Sequence, residues 1–264
     1  MPRFKLVIEY AGTRYSGWQI QKNARTVQGE IDRAVREATG RKDFELYGSG
    51  RTDAGVHALA QVAHLELYTN LAPELLRRKI NDTLPADIHV RTVDKAAHRF
   101  HARHDAVSRS YLYQISRRRT AFAKPFVWWV REPLDVAAMR GAAGTFTGRK
   151  DFAAFSDDDP EEKSTVVVLE AITIVEAGAL VLIRVQGSHF LWKMVRRIVG
   201  VLAAVGRGDI GPDAAGPLFD PAARSRAVEP AALSAPAAGL FLEHVRYAGD
   251  PGPGGIRPVI AIDG

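Results

Sequence analysis

Hydrophobic residues in the first hundred positions recur at two spacings, one typical of strands and one of helices. Phe4, Leu6 and Ile8 recur at every second position and predict a strand. Helical spacing begins after Thr26, a residue suited to an N-cap, and ends at Gly40. The apolar positions between these two are Val27, Ile31, Ala34, Val35 and Ala38. The same patterns predict further strands over residues 44–47, 59–67 and 88–93, and a helix that opens at Pro73.

The second half of the chain repeats this mixture of strands and helices. Strands are predicted over residues 111–115, 165–175, 180–185 and 242–247, and the middle two form a hairpin that turns at Ala177-Gly178. Helices are predicted over 135–145 and from about 190 to 205, and a stretch rich in proline and alanine follows over 211–239. Because hairpins and helices are mixed along the chain, the order predicts an α+β fold with a largely antiparallel mixed sheet flanked by helices.

We expect two similar α/β subdomains in this chain. The first covers residues 1–105 and includes a polar loop over 48–57, and the second covers residues 106–248. Residues 249–264 are rich in glycine and proline, which predicts a mobile tail.

The composition is that of an ordinary globular protein. Of the 264 residues, 46% are hydrophobic and 25% charged, enough for one large core or two modest ones. There is no cysteine, which excludes disulfides, thiolate metal sites and a cysteine nucleophile. No run of eighteen apolar residues occurs, and residues 1–5 lead straight into the first predicted strand. We therefore expect a cytoplasmic protein with no membrane span.

Positive charge is in modest excess and is unevenly distributed. Lys and Arg total 36 against 30 Asp and Glu, and the net charge of +6 permits nucleic-acid binding without requiring it. Basic residues gather around an aromatic ring over residues 98–104 and again over 117–119. Such clusters could track an RNA backbone, although half of these cations could equally be ordinary surface.

The most informative segment is a polar loop between two predicted strands, Gly50-Arg51-Thr52-Asp53-Ala54-Gly55-Val56-His57-Ala58. Loops held by rigid strands are where reactive groups commonly lie. Taken alone, a local Asx-turn is the commoner use of such an aspartate, and Arg51 could be a surface cation. The loop by itself is weak support for a catalytic site.

This loop resembles the active-site loop of the tRNA pseudouridine synthase A family, whose pattern it matches in full from Gly50 to Ala58. The resemblance extends over nearly the whole chain and leaves out only the segment after Tyr247. Other matching segments, in the expected order, are Tyr10-Ala11-Gly12-Thr13, Gly17-Trp18-Gln19, Arg25-Thr26-Val27-Gln28-Gly29, Phe100-His101-Ala102-Arg103, Arg109-Ser110-Tyr111-Leu112-Tyr113, Asp151-Phe152, Phe190-Leu191-Trp192-Lys193-Met194-Val195-Arg196 and Gly239-Leu240.

The resemblance implies an isomerase that needs no cofactor and converts uridine to pseudouridine at positions 38, 39 and 40 in the anticodon stem-loop of tRNA. It implies that Asp53 is the catalytic nucleophile, that Arg51 neighbours the flipped nucleotide and that Arg196 pairs with the aspartate. Tyr111 would pack on the target base, and Leu240 would line the base pocket. A homodimer is also expected, because the L-shaped tRNA is too long for one small subunit to grip throughout.

The residue patterns by themselves leave these roles open. At helical spacing Arg196 lies beside the apolar arc, where a solvated helix face is about as consistent as a contact in the site. A guanidinium beside Asp53 would keep the carboxylate ionised, because a close opposite charge lowers a carboxyl pKa. Tyr111 in a strand is by default a core aromatic, although its ring suits stacking on an everted uracil. For His57 we expect an interior hydrogen bond and not general-base catalysis.

Three more arginines are expected to contact the RNA, namely Arg14, Arg25 and Arg103. We expect no metal site. The acidic run around Pro160 predicts a solvated loop in place of one, and its members are Asp157, Asp158, Asp159, Glu161 and Glu162.

Other functions remain consistent with parts of the sequence. A non-catalytic RNA-binding or RNA-chaperone protein would use the basic clusters but has no use for a complete carboxylate loop. Methylation of uridine at C5 typically adds a cysteine thiolate to C6, and this chain has none. A nucleoside or glycoside hydrolase would need a second acid near Asp53, and residues 48–63 contain no other. Attack of Asp53 on C1′ of the ribose, addition to C6 of the base and formation of a glycal all stay open.

Overall fold

The computed structural model describes residues 1–160, 162, 164–220 and 228–263, and the chain divides into two compact units. Unit 1 contains Met1–Val107 and Phe241–Gly252, and unit 2 contains Ser108–Leu240 and the residues from Pro253 onward. The chain first passes from unit 1 to unit 2 after Val107, close to the expected boundary after residue 105. The closing strand differs, because the sequence assigned it to the second subdomain and most of it belongs to unit 1.

The elements of both units follow in chain order. The strands are β1 (Arg3–Tyr10), β2 (Phe44–Gly48), β3 (His57–Leu67), β4 (Ile88–Ala96), β5 (Ala106–Ser116), β6 (Trp128–Trp129), β7 (Gly148–Asp151), β8 (Val166–Ala177), β9 (Leu180–Gly187) and β10 (Leu240–Tyr247). The α-helices are α1 (Val27–Thr39), α2 (Pro73–Thr83), α3 (Val136–Ala143) and α4 (Met194–Arg207). Short 3₁₀ turns include Gly12–Arg14, Ala153–Phe155 and Pro212–Phe219.

The sheet of unit 1 has the strand order β4-β1-β3-β10, and β2 also pairs with β3. All of these pairs are antiparallel except β3 with β10, which is parallel. Leu6 at the centre of β1 lies opposite Ala63 on one side and Val93 on the other. Phe4, Leu6 and Ile8 are all buried, as their alternation predicted.

A bulge in β4 explains an irregular spacing in the sequence. Val90 and Val93 are three residues apart, yet both are buried. The register against β1 shifts between Val7 and Ile8, so that Arg91 is an extra residue on the β4 side. An extra residue lets two side chains of opposite parity point to the same face.

The helices of unit 1 begin and end where their capping residues predicted. The Thr26 hydroxyl accepts a hydrogen bond from the backbone N–H of Gly29 at 3.2 Å, and Gly40 closes α1 with a φ of 68°. Ile31 and Val35 are fully buried on the apolar face of α1. Pro73 occupies the first turn of α2.

Unit 2 repeats the arrangement with the strand order β5-β9-β8-β7, and β6 pairs in parallel with β5. The pairs β5–β9, β9–β8 and β8–β7 are antiparallel. The predicted hairpin is β8 and β9, and Gly178 in its turn has a φ of 58°. Each unit is therefore a mostly antiparallel sheet with helices, which confirms the α+β prediction.

Helix α4 begins later than its hydrophobic pattern predicted. The sequence placed its start near Phe190, but the first helical residue is Met194. Lys193 has a left-handed backbone conformation, with a φ of 62°, which no right-handed helix can include. The apolar residues before it are therefore part of a loop.

The segment expected to be a mobile tail has defined partners in unit 2. The backbone N–H of Val259 donates to Gln114 Oε1 at 2.7 Å, and that of Ala179 donates to the carbonyl of Ile262 at 3.0 Å. Ile262 is 6% exposed. The structure thus differs from the predicted tail over residues 253–263, and Gly264 lies outside the described residues. Residues 221–227 of the predicted proline- and alanine-rich stretch also lie outside them.

Within these described ranges, no helix combines the length and the apolar character that a bilayer crossing demands.

Candidate active site

The loop that carries Asp53 connects two antiparallel neighbours, β2 and β3. Asp53 is half-buried and Arg51 is exposed. The loop turns back at its end, where the N–H of Val56 donates to the carbonyl of Asp53 at 3.2 Å and Gly55 has a φ of 78°. The candidate carboxylate therefore lies in a tight turn at the end of the sheet where β2 is connected to β3.

Buried side chains fix the first half of this loop. The Ser49 hydroxyl donates to Gln61 Oε1 at 2.8 Å, and the amide nitrogen of the same glutamine donates to the carbonyl of Gly50 at 3.0 Å. Gln61 is fully buried on β3. Gln61 thus holds both the side chain of Ser49 and the backbone of Gly50 at the start of the loop.

The second half of the loop is bound to the segment after β1. The N–H of Trp18 donates to the carbonyl of Thr52 at 3.1 Å, and the N–H of Gly55 donates to the carbonyl of Tyr15 at 3.2 Å. The hydroxyls of Tyr10 and Thr52 are 2.7 Å apart, and both residues are buried. Asp53 therefore has anchored backbone on both sides.

Glycines make this close approach of two backbones possible. A Cβ on Gly12 would lie 2.6 Å from the carbonyl carbon of Val56 and closer still to its oxygen. Gly17 has a φ of 90°, and a Cβ there would lie 3.2 Å from the carbonyl carbon of Asp53. These two positions therefore require glycine, one for space and one for both space and conformation.

His57 has the interior role that the sequence predicted. It is 1% exposed, and its ring stacks on Phe241 with the centroids 4.8 Å apart. The backbone N–H of Gly12 donates to His57 Nδ1 at 3.0 Å. Because a backbone N–H can only donate, Nδ1 carries no proton, which fixes the tautomer and ties the histidine to the loop's support. The prediction of an interior hydrogen bond is confirmed.

Three predicted RNA contacts also lie in unit 1. Arg14 is exposed at the end of the 3₁₀ turn Gly12–Arg14, and Arg103 is exposed as well. Arg25 is about half exposed, pairs with Glu30 at 2.5 Å and lies over the ring of Tyr15. All three present charge at the surface, although Arg25 is partly neutralised.

Two histidines, His101 in the basic cluster and His64 beside it, have lowered pKa values. His64 is 2% exposed on β3 and accepts a hydrogen bond from the N–H of Ala102 at 3.1 Å. Burial, with the charge of His101, lowers the pKa of His64 to about 4. Burial, with the charge of His104, also lowers the pKa of His101. At these two positions the neutral imidazole is favoured over the charged form.

We expect His64 to make folding stability depend on pH. Between pH 6.5 and about 4 the unfolded chain binds a proton at this histidine that the folded chain does not, so stability falls as the pH falls through this window. Across the whole window the free energy of unfolding should fall by about 3 kcal/mol. When it is measured by urea unfolding at several pH values in that range, it should depend less steeply on pH in His64→Gln than in the parent. Equal slopes would contradict the assignment.

The remaining predicted residues lie in unit 2. Tyr111 is half-buried on β5 and meets the ring of Phe190 edge to face, with the centroids 4.9 Å apart. Leu240 is 4% exposed at the start of β10. Tyr111 thus packs against Phe190 in its own unit without being fully buried, while Leu240 lies where the chain leaves unit 2.

Arg196 lies in the first turn of α4 and is bound to a neighbouring segment. Its Nε donates to the carbonyl of Ala235 at 2.6 Å, and the N–H of Ala235 donates to the carbonyl of Arg196 at 3.0 Å. The Tyr113 hydroxyl donates to the next carbonyl, that of Pro236, at 2.8 Å. The Arg196 side chain is therefore held against the neighbouring segment while it stays partly exposed. The pairing of Arg196 with Asp53 stays a prediction.

Some supporting residues were missed from the sequence. Gln61 and Tyr10 are polar side chains in otherwise apolar strands, and both hydrogen-bond to the loop from more than ten residues away. A buried polar position in a strand was the available signal, but it does not name its partner. In the ranges that the structure covers, no group of His, Asp or Glu side chains has the geometry of a metal site.

A half-buried carboxylate on a loop anchored from both sides is an arrangement that can serve as an active site. A family model described as tRNA pseudouridine synthase matches residues 6–105 and 142–248. The tRNA pseudouridine synthase A of Syntrophotalea carbinolica is 42% identical over 246 residues, which cover 92% of this chain and 96% of the relative. That of Geotalea uraniireducens is 40% identical over 249 residues, 94% of this chain and 100% of the relative.

A third relative, tRNA pseudouridine synthase A 2 of Bacillus cereus, is 36% identical over 250 residues, 94% of this chain and 100% of the relative. The chain belongs to the tRNA pseudouridine synthase family.

Proposed function

We propose that this protein isomerises uridine to pseudouridine at positions 38, 39 and 40 of tRNA, with Asp53 as the nucleophile. The observation that carries the proposal is the complete Gly50–Ala58 loop, held by hydrogen bonds on both sides of Asp53. A nucleophile must be positioned to within a fraction of an ångström, and such anchoring supplies that order. The family and the names of its relatives support the choice of substrate.

The reaction conserves every atom of the uridine. The bond from N1 of uracil to C1′ breaks, the bond from C5 to C1′ forms, C5 loses a proton and N1 gains one. No electron is gained or lost overall, so the chain needs no redox cofactor. A carboxylate such as Asp53 can assist at the sugar or at the base while the uracil stays bound.

Unit 2 supplies the other groups of this proposal. Tyr111 packs on the target base, Leu240 lines the base pocket and Arg196 pairs with the Asp53 carboxylate. The hydrogen bond from Arg196 Nε to the carbonyl of Ala235 restricts the motion of the guanidinium, which supports a role as a positioned cation. Arg51, Arg14, Arg25 and Arg103 contact the RNA in unit 1, where their exposure supports such a role.

The direct test is to incubate unmodified tRNA transcripts with the purified protein and to map pseudouridine by mass spectrometry. New pseudouridine at positions 38, 39 or 40 is the expected result. Pseudouridine found only outside the anticodon arm would contradict the proposed positions of modification. No pseudouridine at all would contradict the proposed isomerase activity. Uridine-to-cytidine substitutions at the three positions are the matched control, and they should abolish the signal.

The protein acts in the cytoplasm as a homodimer in this proposal, since an L-shaped tRNA extends well beyond one subunit of this size. Sedimentation at micromolar concentration should therefore give twice the mass of one chain. A fully active monomer would contradict the dimer.

A further inference from the structure

The start of helix α4 is held by an aspartate from a distant loop. Asp157 follows the 3₁₀ turn Ala153–Phe155, and its Oδ2 lies 2.7 Å from Lys193 Nζ while its Oδ1 pairs with Arg197. The next residue, Asp158, accepts a hydrogen bond from the N–H of Trp192 at 2.9 Å. The sequence predicted a solvated loop here, and Asp157 is exposed as expected, although both aspartates also have partners at the start of this helix. Glu161 of the same acidic run lies outside the described residues.

An anion at this position stabilises helix α4, because the positive side chains near its N-terminus interact unfavourably with the positive end of the helix dipole. The first turn contains no acidic residue and places Lys193, Arg196 and Arg197 at the positive end of the helix. Lys193, the N-cap residue, makes no side-chain capping hydrogen bond. Two carboxylates from another segment therefore supply the negative charge that Asp, Glu or a capping side chain usually supplies locally.

Two further features of this turn are unfavourable unless other contacts compensate for them, namely the backbone conformation of Lys193 and the burial of Arg197. Lys193 is the one non-glycine residue with a positive φ in the ranges that the structure describes, a conformation that costs roughly 1–3 kcal/mol. Arg197 is 5% exposed, and a buried guanidinium is stable only with a charged partner. Asp157 is that partner. Hydrogen bonds from Lys193 and then Arg197 lower the pKa of Asp157, so its carboxylate is charged at neutral pH.

We propose that Asp157 is a positioning residue that fixes the first turn of α4 and thereby the guanidinium of Arg196. Arg196 precedes Arg197 in the first turn of α4, and Asp157 binds both Arg197 and the N-cap residue Lys193, so the Nε bond from Arg196 to Ala235 depends on the placement of that turn. This inference rests on the proposed function, in which Arg196 pairs with Asp53. Asp157 itself contacts neither the substrate nor the reacting atoms.

The test compares Asp157→Asn with Asp209→Asn, a matched change at the other end of the same helix. Asp209 pairs with Arg207 at 2.7 Å and is about half exposed. Asp157→Asn should lower kcat about tenfold with KM for tRNA within about twofold, because a small displacement of a catalytic group costs rate more than binding. Asp209→Asn should keep the parental kcat. A parental kcat in Asp157→Asn, or an equal loss in both variants, would overturn the proposal.

A double-mutant cycle shows whether Asp157 acts through Arg196. Arg196→Lys keeps the charge but loses the fork geometry, so it should lower kcat by itself. Once Arg196 is replaced, Asp157→Asn should lower kcat by less than about twofold more. Multiplicative losses in the double variant would mean that Asp157 acts elsewhere. Asp157→Glu keeps the charge and should recover part of the rate.

Hydrogen exchange separates a failure of this inference from a failure of the proposed function. The amides of Met194 and Arg197, which donate to the carbonyls of Leu191 and Lys193, should exchange at least about tenfold faster in Asp157→Asn than in the parent, and at the parental rate in Asp209→Asn. Unchanged exchange in Asp157→Asn would overturn the inference even if the parent were inactive. An inactive parent would overturn the proposed function alone.

Discussion

Asp53→Asn is expected to abolish detectable pseudouridine formation while tRNA binding is kept. An amide has nearly the same shape as the carboxylate but can neither act as the nucleophile nor carry its charge. Removing a negative charge near RNA phosphates can only reduce repulsion, so the affinity should hold or rise slightly. Single-turnover conversion of a tRNA transcript and a filter-binding titration measure the two effects separately.

The backbone bonds that hold the loop do not involve the Asp53 side chain. They run through the backbone of Thr52 and Gly55 and through the side chain of Gln61. The thermal unfolding midpoint of Asp53→Asn, compared with that of the parent, shows whether a loss of rate reflects chemistry or folding. Asp53→Glu is the companion variant, because it keeps the charge and moves the carboxylate by about one methylene, which should also impair turnover severely.

A folded Asp53→Asn variant with a rate within about tenfold of the parent would exclude a nucleophilic role, because that corresponds to only about 1.4 kcal/mol of barrier. The same result would favour the alternative of an RNA-binding protein without this chemistry. Loss of conversion together with loss of tRNA binding would instead mean that Asp53 shapes the RNA surface.

The sequence predicted those parts of the fold whose causes are local. Helix α1 was predicted because Thr26 and Gly40 cap it within the same segment. The start of α4 was missed because the conformation of Lys193 is stabilised by Asp157, which is 36 residues away along the chain. Residues 253–263 have a composition typical of disorder, yet they have partners in unit 2, among them Gln114 on β5.

The candidate site was predictable to the same extent. The match of the loop to the family pattern singled out Asp53 as the candidate, and His57 was expected to have an interior role because that pattern contains the histidine without a catalytic role. The residues that hold the loop could not be named, because a glutamine in β3 or a tyrosine in β1 shows its partner only after the strands pair. The arginine and tyrosine of unit 2 were found through the family pattern, since neither spacing nor burial distinguishes them from ordinary helix and strand residues.

The second large effect is expected at Gly12, which touches no substrate in the proposal. The substitution Gly12→Ala places a methyl group against the carbonyl of Val56, a backbone contact that no rotamer change can relieve. Val56 is 2% exposed, and its N–H closes the turn on the carbonyl of Asp53. The methyl group must therefore push the catalytic loop away, strain the segment after β1, or break the bond from Gly12 to His57 Nδ1.

We expect Gly12→Ala to lose about a hundredfold in kcat, because a displacement of about 1 Å at a catalytic group has effects of that size. The free energy of unfolding should also fall, by about 1–3 kcal/mol, as in other overpacked interiors. Gly141→Ala is the control: a Cβ there meets nothing within 4 Å, and alanine is the better helix former in α3. Its stability should hold or rise and its kcat should stay parental. Parental kcat and stability in Gly12→Ala would show that the Asp53 loop does not depend on this contact, and the anchoring that supports the proposed function would then lie elsewhere.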